Sequence, residues 1–246
     1  MTEKEILTPA SDGDMPTYIA MPDGPHQATA VLIYMDGFGP REELYAIARR
    51  YATCGYVAVL PHLFYRLGSP TFLPTNVKGQ KPQPEQIAAN DATTLELVRR
   101  DTRALFDYAA KGGLGRKIER WGVIGFCMGG RHAIAAAAEF PDYVGAALSV
   151  HGGRMVNNNV GLDGSSHLLI QQCRVPVYVA CAKGDPSCPS EHQRMMSAEA
   201  AKTNGQVTVE TLDALHGWSF PARWCFDRRA SDWIWEKSLT MFDTIQ

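Results

Sequence analysis

Long apolar runs are missing from this chain of 246 residues: the richest, at 133–138, falls far short of the ~20 residues that cross a bilayer, so no membrane role is expected. A basic run is missing too. With 24 Lys and Arg against 26 Asp and Glu, net charge −2, nothing offers the electrostatic footprint that a phosphate backbone or an anionic membrane requires. Nucleic acid is therefore not an expected partner. Residues 1–16 carry Glu3, Lys4, Glu5, Asp12 and Asp14 and lack the apolar core of a secretory signal, so export is not expected. The six cysteines (Cys54, Cys127, Cys173, Cys181, Cys188, Cys225) form no C-x-x-C pair and none of the dense spacings of disulfide scaffolds or zinc sites. Free thiols in a reducing cytoplasm, and no metal, are the expectation.

What is present is an ordinary globular composition, 45% apolar and 20% charged, on a length that suits one sizeable core. A single domain over 1–246 is expected, since no composition break or internal repeat divides the chain. Apolar β-rich runs at 17–21, 30–35, 57–60, 121–125, 145–150, 177–182 and 206–212 alternate with amphipathic or Ala-rich stretches at 41–53, 90–111, 128–139, 191–202 and 229–243. That alternation predicts an α/β fold: a mostly parallel central sheet with helices on both faces. Two irregular stretches, 67–86 and 152–167, follow strands directly. They are expected at the carboxyl edge of the sheet, where open α/β sheets bind ligands.

The most specific motif is Gly125-Phe126-Cys127-Met128-Gly129, a strand running through G-x-C-x-G into a helix. This is the nucleophile-elbow pattern with Cys in the Ser position. A strained strand-to-helix turn needs small residues on either side, and it pushes the side chain out over the sheet. The helix N-terminus also favours the thiolate that attacks. A buried structural Cys in a Gly-rich turn is the bland alternative, and the two flanking glycines weigh against it.

A triad on such an elbow continues in the order nucleophile, acid, His. Asp185, in the turn after the strand at 177–182, and His216, after the strand at 206–212, fall in that order. The other histidines compete poorly: His26 and His167 are expected in polar loops, His132 and His192 on helices, His62 before Arg66. His151-Gly152-Gly153 imitates the HGGG oxyanion motif of lipases, but that motif belongs before the nucleophile, so His151 is expected only to line the pocket. The oxyanion loop is expected at Met35-Asp36-Gly37-Phe38-Gly39, with the N–H groups of Gly37 and Met128 as donors, each worth about 3 kcal/mol.

These motifs, with Leu60-Pro61-His62-Leu63-Phe64-Tyr65-Arg66, Gly184-Asp185-Pro186 and His216-Gly217, resemble the dienelactone hydrolase (carboxymethylenebutenolidase) family from about residue 17 to residue 242. The resemblance implies an α/β-hydrolase fold without cofactor, a Cys127–His216–Asp185 triad, and hydrolysis of a small ester or lactone bearing a carboxylate. It further implies Arg66 as the carboxylate-binding residue, assisted by Arg223, seven residues past His216. Asp36 stands where the family has a Glu that partners the resting thiol, one methylene shorter. Phe38 and Trp218 are expected beside the substrate. Two other readings stay open: a thioesterase or acyl transferase on the same fold, and a non-catalytic ligand-binding or thiol-sensing protein.

Overall fold

Five of the eight strands among the described residues carry short apolar runs that the sheet buries, and the order of the strands along the chain sets up the site. The computed structural model describes residues 1–23, 29–74, 76–157 and 165–245. His26, and the part of the expected loop at 158–164, lie outside the described residues. Among these residues the elements run β1 (Thr2–Ala10), β2 (Gly13–Met21), β3 (Thr29–Tyr34), α1 (Glu42–Thr53), β4 (Val57–Pro61), α2 (Pro84–Ala92), α3 (Leu95–Ala110), β5 (Arg120–Phe126), α4 (Met128–Glu139), β6 (Val144–Val150), α5 (Ser166–Leu169), β7 (Val177–Ala182), α6 (Ser190–Ala200), β8 (Val207–Leu212) and α7 (Arg228–Phe242). The sheet order is β1-β2-β4-β3-β5-β6-β7-β8. β1 and β2 are antiparallel to their neighbours, and the other strands pair parallel.

β3, β4 and β7 are buried along their whole length, as strands covered by helices on both faces must be. α1 and α7 share one face, where Tyr51 stacks on Trp235 at 4.6 Å and donates to Ser238 Oγ at 2.7 Å. α3, α4, α5 and α6 follow one another on the opposite face. β8, at the sheet edge, alternates in burial as a half-covered strand does.

One strand was not expected, and two expectations are corrected. The charged N-terminus forms β1, a hairpin partner of β2, and Thr8 on it is wholly buried against Thr17. The single helix expected at 90–111 is two helices, because Thr94 ends its extended backbone by accepting the Leu97 N–H at 3.2 Å, an N-cap that starts α3 afresh. The preceding α2 begins inside the Pro-rich stretch, with Pro84 in the first turn, where its missing N–H does no harm. No described helix is long and apolar enough to cross a membrane.

Candidate active site

β5 delivers Phe126 to the carboxyl edge, and the chain turns sharply at Cys127 into α4. Cys127 has φ 50° and ψ −112°, a combination outside the ordinary left-handed well. Such strain costs on the order of 1–3 kcal/mol and persists only where neighbours enforce it. Here they do: Cys127 N–H donates to Val150 O, while its own carbonyl accepts from Gly130 and Gly153, each at 3.1 Å. The flanking glycines are steric necessities. A Cβ on Gly125 would sit 2.0 Å from Gly129 O, and one on Gly129 would sit 2.4 Å from Tyr34 O. The thiol is thereby left at the surface of a cavity of about 440 Å³ whose lining includes Phe38, Arg131, Asp185, His216 and Arg223.

β7 ends in the turn that carries Asp185, and β8 leads into the loop that carries His216. His216 Nδ1 meets Asp185 Oδ2 at 2.5 Å. Ser187 fixes the carboxylate from its other side, with its N–H and Oγ donating to Asp185 Oδ1 at 2.8 and 2.7 Å. Burial would raise the Asp185 pKa, but the His216 bond and charge and the Ser187 donors hold it below the ordinary carboxylate value. His216 moves the other way. Burial disfavours its cation, yet the Cys127 sulfur, by charge and hydrogen bond, and the Asp185 carboxylate together raise it well above the ordinary histidine value. His216 thus stands between the Cys127 sulfur and the Asp185 carboxylate at the cavity.

The loop expected to hold the oxyanion follows β3. Gly37 lies between Asp36 and Phe38, which both line the cavity, and no described acceptor takes its N–H. Met128 opens α4, so its N–H has no partner within the helix. Phe38 and His151 line the cavity as expected of them, and Arg223 also lines it, its guanidinium 4.8 Å over the Phe38 ring. His151 is fully buried with φ 38°, its Nε2 2.7 Å from Ser219 Oγ and its ring 5.1 Å from that of His216. Burial keeps its pKa well below the ordinary value, so it stands neutral beside the His216 cation.

Four residues depart from what the sequence led us to expect. Arg66 is outside the cavity lining, because its guanidinium clamps Asp101 with two bonds (2.7 and 2.8 Å), reaches Asp12 at 2.7 Å and lies over the Tyr65 ring. Each of its three nitrogens is thus bonded to a protein carboxylate. Asp36 lines the cavity, but both its oxygens pair with Arg41, at 2.6 and 2.9 Å, and Oδ1 also accepts the Phe38 N–H. The partner expected for it was the thiol. Trp218 is wholly buried, edge-on against His151, and the half-exposed Trp224 takes its place at the cavity. His167 is not in a polar loop but buried on α5, with Nδ1 2.7 Å from Ser165 Oγ.

Sequence reasoning passed over Ser187, Arg41 and Arg131. Ser187 carried a readable signal, since Asp-Pro-Ser is the pattern of an Asx turn, in which Asp accepts from the N–H two residues on. Arg41 spans two loops, paired with Asp36 and Glu43 and stacked 4.8 Å from Phe220. Asp36 and Glu43 are its near neighbours in sequence, and of the three only Phe220 is brought to it by the fold.

The profile of the dienelactone hydrolase family matches residues 15–246. Among curated proteins, a candidate carboxymethylenebutenolidase of Yersinia pestis is 27% identical over 97% of this chain and 86% of its own length. Its counterpart in Escherichia coli strain K12 is 26% identical over 95% and 84%. Among solved structures, a candidate dienelactone hydrolase of Klebsiella pneumoniae superposes with a TM-score of 0.84 at 22% identity, covering 98% of each chain. That last likeness speaks for the α/β-hydrolase fold.

Proposed function

The chain belongs to the dienelactone hydrolase family and is an ester or lactone hydrolase; from that premise we propose that it cleaves small, carboxylate-bearing esters or lactones through a Cys127–His216–Asp185 triad and an acyl-thioester. One observation carries the reading. Cys127 is held at a strained φ of 50° over the cavity, in hydrogen-bonding contact with a His216 that Asp185 grips at 2.5 Å.

The chemistry follows from that arrangement. The Cys127 sulfur, paired with the His216 cation, attacks the substrate carbonyl carbon, and a C–S bond forms as the carbonyl oxygen takes up negative charge. The Gly37 and Met128 N–H groups receive that oxyanion. As the tetrahedral intermediate collapses, the C–O bond to the leaving group breaks and the leaving oxygen takes the proton from His216 Nε2. Water then enters; His216 removes its proton, the hydroxide adds to the thioester, and Cys127 departs as thiolate with the acid as product. Asp185 stays ionised throughout. It holds the imidazole by Nδ1 and steadies its positive charge.

The test is a panel of lactones and aryl esters, with and without a carboxylate, assayed on wild type and Cys127→Ala. Turnover that vanishes in the variant supports the reading. Near-native turnover in the variant contradicts it.

A further inference from the structure

Three hydrogen-bonding side chains converge on one wall of the cavity with donors that nothing accepts. Gln86 and Asn90 stand four residues apart on α2, hence on one face of it, and both line the cavity. Gln86 is only 4% exposed. No described residue accepts from the amide nitrogen of either, and their buried oxygens are equally without partners. Beside them Arg131 projects from the first turn of α4, four residues and so about 6 Å of helix beyond Cys127. Its Nη2 donates to the carbonyls of Asn90 and Thr93, at 3.2 and 2.9 Å, but its buried Nε has no partner.

Arg131 is also a cation without a carboxylate. None of the described ion pairs includes it, and the nearby Asp91 is engaged by Arg154. Burial lowers its pKa to about 10, which leaves it charged at neutral pH. A guanidinium withdrawn from water costs several kcal/mol unless an anion answers it. The α2 carbonyls satisfy one nitrogen only in part. Asn90 further packs its amide against Gly37, where a Cβ would come within 2.4 Å of it, so this wall adjoins the oxyanion loop on one side and the Cys127 helix on the other.

We propose that Gln86, Asn90 and Arg131 form the subsite that receives the substrate's carboxylate, placing it a few bonds from the carbonyl that Cys127 attacks. This rests on the hydrolase reading above for its role in turnover, and it moves anion recognition from Arg66, where the sequence put it, to the α2–α4 wall. The guanidinium supplies charge and the two amides supply neutral donors, a set that fits a planar two-oxygen anion.

Two measurements test it. The first is kcat/KM for an aryl hemisuccinate and for its methyl-capped neutral analogue. Arg131→Met is expected to lose about 10- to 100-fold on the acid and no more than about twofold on the neutral ester. Because Arg131 also caps α2, Gln86→Met, which leaves that cap intact, is the second variant, with an expected selective loss of about 3- to 10-fold. Equal losses on both esters, or none on the acid with Gln86→Met, would overturn the proposal. The second measurement needs no turnover: succinate should slow alkylation of Cys127 by iodoacetamide in wild type and fail to do so in Gln86→Met and Arg131→Met. Protection without hydrolysis would keep the subsite and sink the hydrolase reading. Absent protection in wild type would sink the subsite.

Discussion

Arg66 and Arg131 both follow strands of the sheet toward its carboxyl edge, yet their surroundings are opposite. Arg66 has all three of its nitrogens bonded to Asp101 and Asp12, whereas Arg131 caps a helix with one nitrogen, leaves another unpartnered and faces the cavity. The comparison teaches that a guanidinium's role is set by which carboxylates the fold brings to it. An arginine with a carboxylate on every nitrogen is a structural clamp. One that lines the cavity without an ion-pair carboxylate is where we place the ligand.

The largest effects fall on Cys127, His216 and Asp185, beside which, of the two arginines, only Arg131 lines the cavity. Cys127→Ala is expected to lower kcat by on the order of 10⁶, and Asp185→Asn by about 10⁴ with folding retained. Stopped assays with an aryl ester and circular dichroism check both. Should Asp185→Asn remain fully active, another acid would have to orient His216.

The arginine comparison itself is sharpened by Arg66→Met. It leaves Asp101, 1% exposed, without its cation, so stability should fall by about 3 kcal/mol, read as a lowered urea midpoint. The ratio of kcat/KM between acid-bearing and neutral esters should stay unchanged. A selective loss on the acid-bearing ester would return substrate recognition to Arg66 and break the comparison.

Asp36 belongs with the clamps. Asp36→Ala strips Arg41 of its bidentate partner but leaves it Glu43, so a loss of about 2 kcal/mol in stability is expected. The pH profile of Cys127 alkylation should stay close to that of wild type, and a displaced profile would instead make Asp36 the thiol's partner.

The smallest effect is on pH dependence. His216 is raised in the folded protein, so its stabilising contribution is complete below the unfolded value of about 6.5 and is lost as pH climbs through the folded value. Asp185 is lowered, so its contribution holds above about 4 and is lost as pH falls through the folded value. The melting-temperature advantage of wild type over His216→Ala should therefore shrink on the alkaline side. An advantage that grows there would contradict the assigned direction.

The sequence disclosed this site unevenly, for physical reasons. Gly125 and Gly129 were readable because the elbow's steric demand is local, and Asp185 and His216 because each follows its own strand in a fixed order. Arg66 misled because its partners stand 35 residues later on α3 and 54 residues earlier beside β1. Pairing over such distances leaves no local pattern. Trp218 misled in the same way, since two residues beyond His216 the chain has already turned inward. β1 was hidden by its charges, and α2 by prolines that in fact mark its start.

The central claim is that Cys127 carries the acyl group, and mass spectrometry of the intermediate tests it most directly. Wild type mixed with an activated aryl ester, quenched in acid within the first turnovers and digested, should yield the peptide containing Cys127 heavier by one acyl group. An acyl group on a different residue, or hydrolysis that continues undiminished in Cys127→Ala, would contradict the account.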